Sequence, residues 1–404
     1  MQPEKFPNIA LIHDHPLGWP GGGPVLLQRL FYEYPADKKI YISAFPAIQQ
    51  HQTDWLDAVY AQNQSIQRGR YGIGRLRLFW GCLPWSGYVN KIRKIFITHN
   101  IKVVHAVSHE FLWISSFFAA KALALPFVLS INDHWPSVVN AQLPNFFSEL
   151  IFKYIACRAD VVMGAHEGAG ELIYNKYGIR MNGVERDGLT GADVSNRSTA
   201  MSKTIVKSET ITIGYCGMYR TYKQEFELLQ KVIRTYTRKN GKIKLRLFTE
   251  LSLSDLYDLG WREDEIEYNT WDSYENVNNA LRHTNLLFLP MSFEQNKADL
   301  MKWGMSNKTA QYLAVGKPIL SYGPDYCSNA SLLSKYKIGI HVSECNPNAL
   351  HDAVIKLVSE CFQLTYHSES LKCIESRFNL DKSKRELWGL LSSLVNGCKG
   401  REHA

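Results

Sequence analysis

The sequence predicts an α/β fold made of two Rossmann-like, doubly wound parallel-sheet domains facing across a cleft. Three observations predict it. Short apolar runs alternate with helical periods along nearly the whole chain, the pattern of a parallel sheet covered on both faces. The series stops and starts again once, across a polar stretch without clear periodicity near 195–209. At 404 residues the chain is also too long for one comfortable core.

The elements follow in order. The first half offers strands in "NIALIHD", "KIYISAF", "KVVHAVS", "PFVLSIN" and "DVVMGAH", with helices in "VLLQRLFYEY", "YVNKIRKIFITHN" and "FFSELIFKYIACR". The second half offers "ITIGYCG", "KIKLRLFTE", "IEYNTW", "NLLFLPM", "KPILSYG" and "IGIHVSE", separated by "KQEFELLQKVIRTYTRKNG", "ENVNNALRHT" and "SNKTAQYLAVG". The last helix, "DKSKRELWGLLSSLVNG", has an apolar stripe and no strand after it, so it is expected to pack back on the first domain. The expected boundaries are 1–195, 210–375, and 376–404 for that final helix.

Composition narrows the class. Hydrophobic content of 45% and charged content of 21% describe an ordinary globular protein. The eight cysteines are scattered, with no CxxC and no Cys/His cluster, so neither a structural zinc site nor a thioredoxin-like site is suggested. Reduced thiols in a cytoplasmic protein are the expectation. The N-terminal "MQPEKFPNIALIHDH" lacks the basic and apolar regions of a signal peptide. The longest apolar run, "FLWISSFFAAKALALPFVLSI", is interrupted by Lys121 and Pro126 and reads as helix then strand rather than a membrane span.

The net charge of +8 is unevenly placed. No Asp or Glu occurs from Ala58 to His109, while Arg68, Arg70, Arg75, Arg77, Lys91, Arg93, Lys94 and Lys102 fall inside. Within 68–94 arginines alternate with Leu, Phe and Trp, which suits an interfacial segment on an anionic bilayer. A basic groove loop with buried aromatics is the alternative, and nucleic acid is not expected.

Three glycines, Gly21, Gly22 and Gly23, open the first helix directly after the first strand. The run is not G-x-G-x-x-G, and no acid ends "KIYISAF" to hold a ribose, so nicotinamide binding is disfavoured. Two readings stay open: a tight strand-to-helix connection, or a backbone that a ligand approaches closely. Histidines and acids gather at strand ends in "HDH" (His13, Asp14, His15), "HAVSH" (His105, His109) and "NDHW" (Asp133, His134), where open α/β sheets bind ligands. Asp133 and His109 are the candidates for orienting or deprotonating a hydroxyl, followed by His166 and Glu167. Their spacing does not suggest a metal site.

In the second half "YCGMYRTYKQEFELL" places Gly217 after a strand and Lys223 beside a helix start, and "NLLFLPMSF" precedes "SNKTAQYLAVGKPILSYG". These features resemble the retaining GT-B glycosyltransferases of the glycogen-synthase-like group, in the bacterial surface-polysaccharide variant. The resemblance covers most of the chain and is moderately specific. It implies a metal-independent hexosyltransferase that needs no cofactor and moves a sugar from a nucleotide-diphosphate sugar to a glycan or lipid-linked acceptor. The first domain would then take the acceptor and the second the donor, with the protein peripheral on the inner face of the plasma membrane.

It also implies donor-binding roles for Gly22, Gly23, Arg220, Lys223, Asn307, Lys308, Gln311 and Glu294. Basic side chains would stabilise the leaving diphosphate where other enzymes use a metal, in keeping with the lack of a D-x-D sequence. Two departures stand out. The family's arginine falls at Met218, leaving Arg220 to act from a shifted position. The family's Glu-x7-Glu pair falls at Trp303 and Gln311, with Glu294 or Asp299 left to cover the sugar side. A sugar-nucleotide epimerase on the same scaffold, or a non-catalytic nucleotide-sugar or glycan binder, is the alternative.

Overall fold

The computed structural model describes residues 6–17, 22–44, 57–60, 86–139, 145–195, 210–237, 242–270 and 272–399. The chain forms two compact units, Met1–Asp187 with Leu380–Ala404, and Gly188–Asn379.

The first unit carries a parallel sheet in the order β3-β2-β1-β4-β5-β6-β7. Its strands are β1 (Ile9–Ile12), β2 (Lys39–Ser43), β3 (Asp57–Tyr60), β4 (Val103–Val107), β5 (Phe127–Ile131), β6 (Val161–Gly164) and β7 (Gly183–Val184). Ile9 pairs with Lys39 on one side and Val103 on the other, which fixes the register at the point where strand order reverses. Apart from Lys39 and His105, the strands β1, β2 and β4 are nearly continuous apolar runs and fully buried, as expected of parallel strands covered on both faces. The helices are α1 (Gly22–Phe31), α2 (Gly87–Thr98), α3 (Leu112–Ala122), α4 (Trp135–Val139), α5 (Asn145–Ala156) and α6 (Glu167–Tyr177).

The second unit repeats the plan with the order β10-β9-β8-β11-β12-β13. Its strands are β8 (Thr210–Cys216), β9 (Lys242–Phe248), β10 (Ile266–Asn269), β11 (Leu286–Pro290), β12 (Ile319–Tyr322) and β13 (Gly339–Val342). Between them run α7 (Lys223–Thr237), α8 (Leu253–Asp258), α9 (Tyr274–Leu281), α10 (Ala298–Trp303), α11 (Lys308–Val315) and α12 (Ser328–Tyr336), followed by α13 (Pro347–Leu357) and α14 (Glu360–Arg377). The helix α7 shows how the core forms. Phe226, Leu229, Val232, Ile233 and Tyr236 recur at helical spacing and bury one stripe together with Ile243, Leu245 and Leu247 of β9.

The final helix α15 (Leu380–Lys399) belongs to the first unit. Leu387, Trp388 and Leu391 join the core of Leu27, Leu30, Phe31 and Tyr34, and the Trp388 indole N–H donates to the Leu30 carbonyl at 3.2 Å. The chain leaves the first unit after Asp187, ahead of residue 195, for a local reason. Asp187 is tied to Arg29 at 2.9 Å and Glu185 to His105 at 2.5 Å, whereas the Leu189 N–H already donates to Phe378 of the second unit. Residues 196–209 lie outside the described residues, as do 68–85 of the basic aromatic segment. The strands β3 and β7 have no counterpart in the sequence pattern. Runs of four and two residues at a sheet edge are too short to show a period.

Candidate functional site

Ligands of doubly wound sheets bind beyond the carboxyl ends of the strands where strand order reverses. Each unit has one such point, β1 beside β4 in the first and β8 beside β11 in the second.

In the first unit the chain leaves β1 through His13, Asp14 and His15. The His13 N–H extends the pairing with β2 by donating to Ile42. Its ring Nδ1 accepts the His15 N–H at 3.0 Å, so the neutral ring carries its proton on Nε2. That edge points at Gly23, where a Cβ would lie 2.5 Å from Nε2. Gly23 is therefore demanded by a histidine of the same unit. Gly22 begins α1, and Gly21 lies outside the described residues.

Asp14 is buried, and its carboxylate accepts the backbone N–H groups of Glu110, Phe111 and Leu112 at 3.0, 3.2 and 3.0 Å. These open α3, whose own N-cap residue Phe111 supplies no capping side chain. Asp14 thus caps a helix that begins nearly a hundred residues later and locks the two loops together. Burial raises its pKa to about 6, against the lowering by those three bonds.

His109, one loop beyond β4, stacks on His13 with ring centroids 5.1 Å apart, and His15 meets it edge-on at 5.0 Å. Burial, with repulsion from His109, holds the His15 pKa down at about 4. His109 is also lowered by burial, although Glu110 and Asp133 pull the other way. Asp133 is raised by burial and drawn back by His109. The expected pair His109 and Asp133 is thus brought together beside His13, His15 and Glu110.

The other expected histidines go elsewhere. His105 lies within β4 and faces the core, bound to the Ser130 hydroxyl at 2.7 Å and the buried Glu185 at 2.5 Å. β4 ends at Val107, so His105 sits inside the strand with its ring in the core, whereas His109 lies past the strand end. His134 bonds Ser137 and Tyr177 at 2.5 Å each, and the Tyr177 hydroxyl donates to Glu149. His166 precedes α6 without a side-chain cap, and Glu167 pairs with Arg186 at 2.8 Å.

In the second unit β8 ends at Cys216 and Gly217 follows with φ of +141°, a conformation that side chains resist. The space a Cβ would need there is filled by the Lys308 side chain, whose Nζ would lie 2.9 Å from it. Lys308 opens α11 and holds its ammonium 5.6 Å from the Tyr215 ring centre and 5.5 Å from that of Tyr222. Such cation–π contacts contribute about 0.5–2 kcal/mol. Among the described residues no carboxylate pairs with it, and burial lowers its pKa against the pull of Cys216 and Glu250.

Gln311, one turn along α11, donates to Asn278 at 2.9 Å and accepts from the Cys216 thiol at 3.2 Å. Arg220 is exposed, but its N–H and that of Tyr219 donate to Glu250 at 3.0 and 2.8 Å, shaping the turn after Gly217. Asn307 precedes α11 with an exposed side chain that makes no cap bond. Lys223 stands on the exposed face of α7, 3.9 Å from Glu227. Glu294 pairs with Lys297 at 2.7 Å, and Lys297 reaches the Thr221 carbonyl. Two residues escaped the sequence reading. Glu225 sits inside the apolar stripe of α7, where a buried acid is the signal, and accepts the Phe293 N–H at 3.0 Å. Glu110 directly follows His109 and had no periodic context to mark it.

Solved structures share this architecture. Anabaena HepE, in complex with UDP and glucose, superimposes with a TM-score of 0.65 over 96% of this chain and 99% of its own, at 14% identity. Sucrose-phosphate synthase from Thermosynechococcus elongatus gives 0.69 over 96% and 99%, also at 14% identity. Trehalose 6-phosphate synthase from Burkholderia multivorans gives 0.67 over 99% of both chains at 10% identity. No family model and no curated protein matches the sequence. The chain has the two-domain GT-B fold.

Proposed function

We propose that the protein is a glycosyltransferase that takes a sugar from a nucleotide-diphosphate sugar, holding the donor on its second unit and the acceptor on its first. One observation carries the reading: Lys308 keeps an ammonium without a carboxylate partner, among the described residues, at the strand-order reversal beside Gly217. A breaking glycosidic bond adds negative charge to the diphosphate, and a fixed cation in a partly dry site stabilises that more highly charged leaving group more than the intact donor. The N-terminus of α11, where Lys308 sits, adds backbone N–H groups and the positive end of the helix dipole. The HepE structures with UDP and with UDP-glucose support a uridine donor as the first to test.

The acceptor side rests on His109 and Asp133. A neutral imidazole accepts a hydrogen bond from a sugar hydroxyl at neutral pH. In the retaining course the donor phosphate takes the hydroxyl proton and no carboxylate nucleophile is needed. A glycan or lipid-linked acceptor fits the basic character of 68–94, of which the described part, in α2, exposes Lys91, Arg93 and Lys94.

Thermal melting with UDP, uridine and UDP-sugars tests the donor side, because a ligand of the native state raises Tm. UDP is expected to raise Tm and uridine to do so less. Lys308→Met should remove the difference and slow transfer by about 10²–10³-fold. An undiminished UDP response in that variant overturns the assignment, and a sugar altered by the enzyme without any acceptor would point to an epimerase instead.

A further inference from the structure

We infer that His15, His109 and Glu110 form a binding site for a first-row divalent transition cation, with zinc as the natural occupant. Among the described residues this is the one group of His, Cys, Asp or Glu whose ligand atoms, one from each, all lie within 4.8 Å of one another. Two imidazoles and one carboxylate are the donor set of open transition-metal sites, which leave positions for water or a ligand oxygen. Tetrahedral zinc with these ligands needs separations of about 3.3 Å, so the site must close on the cation from separations of up to 4.8 Å.

The backbone beneath these side chains is held from several directions. The Glu110 N–H is fixed by Asp14 at 3.0 Å, and its carbonyl accepts the indole N–H groups of Trp113 and Trp135 at 3.0 and 2.6 Å. The His15 N–H is fixed by His13 at 3.0 Å, and its carbonyl accepts the Tyr41 hydroxyl at 2.7 Å. His109 Nδ1 is buried without a protein partner, a cost that a cation would relieve. His13 is not a ligand through Nδ1, which already accepts a backbone N–H; it packs the His109 ring in place. The charges of Glu110 and Asp133 act on His109 and would offset that of the cation.

This inference stands apart from the donor chemistry of the second unit, and its test uses no nucleotide or sugar. Tag-free, chelator-treated full-length protein is titrated with Co²⁺, followed by calorimetry and by visible d–d absorption. One Co²⁺ per chain is expected, displaced by Zn²⁺, with affinity falling at least tenfold in His109→Ala and in Glu110→Gln. Glu110→Gln keeps the backbone bonds and the volume, and the metal-free melting curve of each variant establishes that it is folded. Absence of saturable binding, or equal binding in both folded variants, overturns the site.

Discussion

At the β1–β4 reversal the loops gather three imidazoles and the carboxylates of Asp14, Glu110 and Asp133. At the β8–β11 reversal they gather one ammonium, two tyrosine rings and a thiol. The same strand order has been furnished with opposite chemistry. In the first unit the polar groups are spent largely on each other: Asp14 caps α3 and His13 fills the space above Gly23. In the second unit Lys308 is held by aromatic faces, which position a cation without neutralising it. Fold alone therefore does not mark which reversal is suited to an anion; the proposed donor site rests on the partner left out of the local network.

The largest expected stability effect that sharpens this contrast is at Asp14. Asp14→Ala strips the acceptor from three N–H groups and should destabilise the first unit by about 3 kcal/mol, measured by urea unfolding. Its folded pKa of about 6 lies above the unfolded value, so its protonated form is favoured by folding. The associated stability is full below about pH 4 and is lost as pH rises through 6. The gap between wild type and Asp14→Ala should thus be widest near pH 4, and a gap independent of pH would show that folding leaves the Asp14 pKa unchanged.

Next come the two glycines. Gly217→Ala meets both a φ of +141° and the Lys308 side chain, and should cost about 1–3 kcal/mol together with the UDP response. Gly23→Ala lies in a helix, where alanine is favoured by about 1 kcal/mol, and meets only the edge of the His13 ring. Its net effect should be smaller, and equal losses in thermal melts would break the contrast between the units. Smallest is Lys223→Ala. An exposed i,i+4 pair is worth a few tenths of a kcal/mol, and the UDP shift should persist if Lys308, as proposed, is the cation that meets the diphosphate. Loss of that shift would return the diphosphate to Lys223.

Much of the fold was legible in residue order. Eleven apolar runs became strands, since each is long enough to show its period and buried enough to need it. The strand-end histidines were legible as a group but not as individuals. Whether "HAVSH" offers one imidazole or two depends on where β4 ends: at Val107, which leaves His105 within the strand and His109 beyond it. Gly217 and "SNK" could be singled out separately. That Lys308 fills the space beside Gly217, while Lys223 stands on the surface, is a contact between residues ninety apart.

The sequence by itself determined the two-part parallel-sheet plan, because hydrophobic periodicity is local and the chain cannot fold without satisfying it. Tertiary structure alone decided which charged groups neutralise one another and which remain available. Pairing depends on distances across the sheet, and desolvation acts only on groups that packing has removed from water.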